Sequence, residues 1–192
     1  SPLKALLSEP TRRRLAWHEA GHALVGHVLG AGRVERVTIE PRGQALGVTH
    51  IQPDHEEPLY REGDLAARLA MMLGGREAEM MVFGSVSTGA ADDLKRASAL
   101  AIEMVGTLGF SAAFGPLSVA GVPKELLGPD MQAAVLAEAR ALLEQAQADG
   151  RRLLAARRRQ LDALADALLA RELLGGGELA RLLALPGPWT EP

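Results

Sequence analysis

The chain has 192 residues, a formal net charge of −3 from 21 basic and 24 acidic residues, no cysteine and only 3% aromatic content. These values fit one domain, or one domain with a helical appendage. They exclude disulfide staples, thiolate metal sites and the basic face of a general nucleic-acid binder. With 47% hydrophobic residues, the core must come from Leu, Ala, Val and Met, which favours packed helices over an aromatic, β-branched sheet.

Residues 1–10 read as a lead-in. Thr11 is then the predicted N-cap of a helix running to about Leu29, stopped by Gly30 and Gly32. Leu15, His18, His22, Val25 and Leu29 recur along it at helical spacing. Between residues 33 and 52, Val34, Val37 and Ile39, then Val48 and Ile51, flank Pro41-Arg42-Gly43 and predict a β-ribbon or hairpin. Residues 53–60 are a polar loop. A second helix is predicted over 62–83, with Gly74-Gly75 inside it at about 1 kcal/mol each relative to Ala; either the helix bends there or a neighbouring backbone comes close. The turn from Gly84 to Gly89 leads to a third helix from about Ala90 to Leu108, and 109–129 reads as an irregular loop. From Asp130 to Leu185 there is no Pro. Leu154, Leu161, Leu164 and Leu168 there predict a helical hairpin, broken near Gly150 or further on. Gly175-Gly176-Gly177 closes it before a short helix from Glu178 to Leu185. Arg157-Arg158-Arg159 reads as solvated surface, and Met71, Met72, Met80 and Met81 as core filling.

The chemistry concentrates in Ala16-Trp17-His18-Glu19-Ala20-Gly21-His22, an HExxH segment in a helical pattern. Residues four apart share a helix face, so His18 and His22 can offer imidazole nitrogens to one metal ion, with Glu19 beside them to take a proton from water at that metal. The bland alternative is a surface or capping histidine pair; the apolar neighbours Leu15, Val25 and Leu29 weigh against it. A catalytic zinc takes three protein ligands. His27 is five residues past His22 and faces elsewhere, and no His stands six residues beyond His22 as a metzincin needs. His50 and His55 read as solvent-exposed. Glu79, Asp92 and Asp93 are the acidic candidates, and spacing does not choose among them.

Several further motifs appear in order: HEAGHAL at 18–24, VTIEPRGQALG at 37–47, LGGREAE at 73–79, STGAADDLKRA at 87–97, MVGTLGFS at 104–111 and FGPL at 114–117. Together with LLAARRRQLDALADALLARELLGGGEL near the C-terminus, they make nearly the whole chain resemble the protease domain of FtsH-type, AAA-linked zinc metalloproteases. The resemblance implies a mainly α fold, an array of about six helices with a small β-ribbon. It also implies a single zinc-peptidase domain over 1–192, with a catalytic core at 11–129 and a C-terminal helical part at 130–192.

By the same resemblance, Asp93 is the third zinc ligand and Glu79 supports the site from behind the ligands. One departure is Asp92, where the family usually has Asn. The implied activity is zinc-dependent endopeptidase cleavage of unfolded polypeptides. In the family this is coupled to an ATPase module, and no Walker loop occurs in this chain. The 46–52 strand, with Val48 and Thr49, is the expected place for an extended substrate to pair.

A homo-oligomer is implied, a hexamer in the resembled family. No stretch approaches the ~20 apolar residues of a membrane span, and the first residues carry no signal-peptide block. The expectation is therefore a soluble cytoplasmic chain without direct membrane contact, tethered only through an upstream anchor. The competing expectation is a catalytically silent zinc-binding interaction or regulatory subunit. Intact Glu19 speaks against it; Asp92 and the missing ATPase speak for it. A helical adaptor with a coincidental HExxH is the third reading.

Overall fold

A computed structural model describes residues 7–41, 46–52 and 59–184. Six α-helices, three short 3₁₀ turns and one small sheet make up the ordered elements among them. Helix α1 spans Glu9–Val28, and its N-cap is Ser8 rather than Thr11. The Ser8 hydroxyl accepts from the Thr11 backbone N–H at 3.3 Å, and Pro10 occupies the first turn, where its missing N–H costs nothing.

From Ala16 to Gly26 every residue of α1 is buried. The helix is thus enclosed on all sides, which its many Ala and Gly residues permit, and it carries no one-sided apolar stripe. Leu29, expected on such a stripe, is an exposed C-cap.

Strands β1 (Arg33–Thr38) and β2 (Val48–Gln52) pair antiparallel, with an irregularity between Val34 and Arg36. A third strand not foreseen in the sequence, β3 (Leu173–Gly175), joins the other side of β1 and gives the order β2-β1-β3. Three residues are too few to show a period of two. What places them is Glu172, whose left-handed backbone (φ 66°) ends the preceding helix and whose carbonyl accepts from the Ile39 N–H at 2.9 Å. Most of the 53–60 loop, including His55, lies outside the described residues.

Helix α2 (Glu62–Phe83) crosses α1 at Gly21 and Gly74. A Cβ on Gly21 would stand 2.4 Å from the Gly74 carbonyl oxygen, and one on Gly74 would stand 2.9 Å from that of Gly21. The glycine pair therefore marks a close backbone approach. A 3₁₀ turn at Thr88–Ala90 feeds α3 (Ala91–Gly106).

The C-terminal hairpin is α4 (Pro129–Ala156) and α5 (Arg158–Arg171). Its break falls at Arg157, beyond Gly150. Gly150 stays helical because it is buried facing α2, with Ala70 the nearest backbone. Leu154, Leu161, Leu164 and Leu168 are all buried, as their spacing predicts. Helix α6 (Gly176–Ala184) begins inside the glycine run.

Met71, Met72 and Met81 pack against the core, whereas Met80 is exposed. Arg158 and Arg159 are exposed as expected, while Arg157 is half-buried and its guanidinium reaches Gln160. Two polar ties fix the layers. Buried Glu77 on α2 accepts from Gln147 (2.8 Å) and Arg151 (2.5 Å) of α4, and the Trp17 indole N–H donates to Asp162 of α5 at 2.9 Å.

Candidate metal centre

Enclosure of α1 buries His18, Glu19 and His22, leaving each less than a tenth exposed. One helical turn separates the two imidazoles, and both turn towards α2 and α3. Their Nε2 atoms are 3.0 Å apart. Asp93, in the first turn of α3, brings Oδ2 to 3.3 Å from His18 Nε2 and 3.1 Å from His22 Nε2. Among the described residues, these three form the group able to hold a metal ion, their donor atoms all within 4.8 Å of one another.

The far edge of each ring is engaged separately. His18 Nδ1–H donates to Glu79 Oε2 at 2.8 Å, and His22 Nδ1–H donates to the Met71 carbonyl at 2.7 Å. Both acceptors face the ring edge away from the cluster, so the Nε2 lone pairs are the ones aimed inward. Two such lone pairs and a carboxylate repel one another unless a cation lies among them. Two imidazoles and a carboxylate are also a donor set suited to zinc. The residues present therefore fit the metal.

Electrostatics agree. Burial by itself lowers the His18 pKa, but hydrogen bonds with Asp93 and Glu79 outweigh it and carry the group up to about 9. Burial by itself raises Asp93, yet its contacts with His18 and His22 hold it well below the usual carboxylate range. Glu79 is also shifted down: hydrogen bonds from His18, Ser87 and Arg14 overcome its desolvation. The Arg14 guanidinium donates to Glu79 Oε1 at 3.0 Å and to the Ser85 carbonyl at 2.9 Å, bracing the site from the surface.

Gly75 of α2 completes the wall. A Cβ there would lie 2.6 Å from His22 Nε2 and 2.7 Å from His18 Nε2, so only glycine leaves the imidazoles their place.

The other acidic candidates fall elsewhere. Asp92 is 80% exposed and pairs with Arg96 at 3.2 Å. Glu79 touches the cluster only through the back of His18. Glu19 does not join the three donors; it points towards the ribbon, where the Thr49 hydroxyl meets its Oε2 at 2.7 Å. Val48 is half-buried at the start of β2. His27 and His50 are exposed and outside the cluster.

Sequence reasoning did not find Arg14, Gly75 or the Met71 carbonyl. A backbone acceptor leaves no trace in residue type, and Arg14 reads like any helix-surface cation. Gly75 stands out in the sequence only as half of a costly pair inside a helix.

The model of peptidase family M41 matches residues 5–182. The chain belongs to peptidase family M41. It is 43% identical to the ATP-dependent zinc metalloprotease FtsH of Syntrophus aciditrophicus over 94% of this chain and 26% of that protein. It is 39% identical to the protein of that name from Thermobaculum terrenum, over 98% of this chain and 31% of that one. The ATP-dependent zinc metalloprotease FtsH 1 of Symbiobacterium thermophilum is 44% identical over 97% of this chain and 31% of its own length. This M41 chain thus spans about a quarter to a third of the relatives it matches. Among its described residues, no helix is long and apolar enough to cross a membrane.

Proposed function

We propose that this chain is a zinc-dependent endopeptidase domain in which His18, His22 and Asp93 hold the metal and Glu19 is the general base. The observation that carries this reading is the convergence of three lone-pair donors, with both Nδ1 edges tied down behind them. When bound, zinc supplies a Lewis acid that polarises a peptide carbonyl and makes water nucleophilic near neutral pH. Glu79 and the Met71 carbonyl keep each imidazole in the tautomer with Nε2 free. Glu19 takes the proton of the attacking water and passes it to the departing amide nitrogen.

An extended polypeptide would pair along β2, with Val48 and Thr49 in the receiving segment. In support, β2 is an edge strand, with β1 on one side and no described strand on the other. Replacing Val48 with Pro is expected to raise KM for a short peptide; unchanged turnover would argue against this docking.

Residues 11–129 carry the chemistry and 130–192 the helical remainder of the same domain, joined through the Glu77 contacts to α4. Unfolded polypeptides as substrates, an ATPase module to feed them, a homo-oligomeric, hexameric ring and a cytoplasmic setting belong to the same proposal. Relatives named as ATP-dependent and several times longer than this chain suggest the ATPase module; the other three rest on the motif resemblance alone.

The test is zinc content together with casein cleavage, on wild type beside Glu19→Gln and Asp93→Ala. Wild type should hold about one zinc and cleave, as a three-ligand catalytic site requires. Glu19→Gln should keep the metal and lose about 10²–10⁴-fold in kcat, and Asp93→Ala should lose the metal. Zinc without cleavage of even short unfolded peptides would move the reading to a silent zinc-binding subunit, and absence of metal after gentle purification would overturn it.

A further inference from the structure

His18 and His22 are held from behind, but the general base needs aiming as well. Glu19 follows His18 by one residue, which on a helix turns its side chain about 100° away from the imidazoles. It leaves α1 towards the ribbon, away from α2. A glutamate has three side-chain torsions, and no described residue of α1 hydrogen-bonds its carboxylate.

Strand β2 does. The Thr49 hydroxyl lies 2.7 Å from Glu19 Oε2 and 3.1 Å from the Glu19 backbone carbonyl. A hydroxyl has one proton to give, and the shorter, charge-assisted contact to the carboxylate is the stronger acceptor. The other carboxylate oxygen is treated differently. Oε1 takes no hydrogen bond from a described residue, and it faces Gly47, directly before β2. A Cβ at position 47 would stand 2.9 Å from Oε1 and 3.0 Å from Cγ of Glu19. One short segment thus holds Oε2 with a hydroxyl and leaves room at Oε1 by having no side chain.

We propose that Thr49 is a positioning residue for the reaction: its hydroxyl anchors Oε2 of Glu19, so that Oε1, cleared by Gly47, is the oxygen that exchanges the proton. The inference rests on Glu19 being the general base. Oε1 accepts the proton as the water oxygen bonds to the carbonyl carbon. It returns that proton to the amide nitrogen as the C–N bond breaks, so Glu19 ends as it began. Throughout, Oε2 remains an acceptor, as carboxylate or as the carbonyl oxygen of the acid, and the Thr49 bond survives both states. Because β2 is also the proposed docking edge, substrate pairing and base alignment run through the same five residues. Main-chain pairing does not use the hydroxyl, so its loss is expected in kcat and not in KM.

The experiment compares zinc-loaded wild type, Thr49→Val and Thr49→Ser with a quenched fluorogenic peptide, alongside zinc content and crystal structures of the metal-free proteins. Thr49→Val should keep its zinc and its KM within about twofold while kcat falls about 10–100-fold, the scale of a misplaced catalytic group. Thr49→Ser should recover most of that loss. In the Thr49→Val crystal, Glu19 should spread over more than one rotamer.

A Thr49→Val enzyme with wild-type kcat would overturn the proposal, as would a serine variant no better than valine, since the methyl group and not the hydroxyl would then matter. A wild type that cleaves nothing would sink the peptidase reading instead. The rotamer of Glu19 would still decide this one: a single wild-type conformation in Thr49→Val refutes it.

Discussion

Nε2 of His18 stands 3.0 Å from Nε2 of His22, and neither ring can offer its other edge, because Glu79 and the Met71 carbonyl already hold the two Nδ1 positions. Two imidazoles so fixed, with Asp93 against both, make a site that calls for a cation. Without metal, that cation is a proton.

Zinc uptake should therefore release protons. In the metal-free protein, burial lowers the His18 pKa, but the Asp93 and Glu79 hydrogen bonds bring it to about 9. A metal must displace that proton, so zinc affinity should weaken as pH falls below about 9.

The stability of the metal-free fold should run the other way. His18 is raised above its unfolded value of 6.5, so its contribution is fully present below that pH and lost as pH rises through about 9. Asp93 is depressed, so its contribution is present above 3.8 and lost as pH falls through its lower folded value. Calorimetric zinc titration at pH 7.5, in two buffers of different ionisation enthalpy, measures the protons released. About one per zinc is expected from the displaced His18 proton; no difference between buffers would contradict this account. Melting of the metal-free protein should drop between pH 6.5 and 9.

The adjacent acids Asp92 and Asp93 should separate cleanly. Asp93 is buried and touches both imidazoles, with its other oxygen receiving Arg96 at 3.1 Å. Asp92 is exposed, and an exposed ion pair at helical spacing contributes at most about 0.5 kcal/mol. Asp93→Ala should abolish stoichiometric zinc, while Asp92→Ala and Asp92→Asn should bind like wild type in a chelator competition. An Asp92→Ala protein that loses its zinc would reassign the third ligand.

That pair also shows where a sequence stops being readable. The imidazoles are four residues apart on one helix, so local geometry alone makes them partners. Asp93 is 71 residues beyond His22, and only the packing of α3 against α2, which itself packs on α1, brings it there. Spacing therefore left Glu79, Asp92 and Asp93 open, and the choice came from the family's motifs.

The extent of α2 was legible from its recurring Leu and Met, and the buried Leu stripe of α5 from its spacing, though not where α5 begins. The errors sit where one residue's geometry decides. Ser8 caps α1 with an ordinary hydroxyl three residues before the expected Thr11. Arg157 breaks α4 from α5 with nothing in its type to announce it. Strand β3 exists because Glu172 turns the chain back onto β1, a tertiary event that three residues cannot advertise.

Three glycines carry predictions of different sign. Gly21 faces backbone: a methyl there meets the Gly74 carbonyl oxygen at 2.4 Å and Ala78 Cβ at 2.6 Å. Neither can swing aside, so Gly21→Ala should force α1 from α2 and destabilise the fold by about 3 kcal/mol, the upper end for overpacking. Gly150 has room, since its nearest contact would be the Ala70 oxygen at 3.9 Å, and it is helical. Gly150→Ala should therefore stabilise by about 0.5–1 kcal/mol through helix propensity and a less free unfolded chain.

Gly75 differs from both, because its intruding methyl would meet side chains, the two Nε2 atoms. Those rings can move, but only by leaving the positions Glu79 and the Met71 carbonyl assign them. Gly75→Ala should thus weaken zinc binding by about 10–100-fold, the scale of a disturbed outer shell, while urea unfolding of the metal-free protein shifts less than for Gly21→Ala. Equal zinc affinity in Gly75→Ala and wild type would mean that the imidazoles tolerate displacement, and that their anchoring behind Nδ1 is not what defines the site.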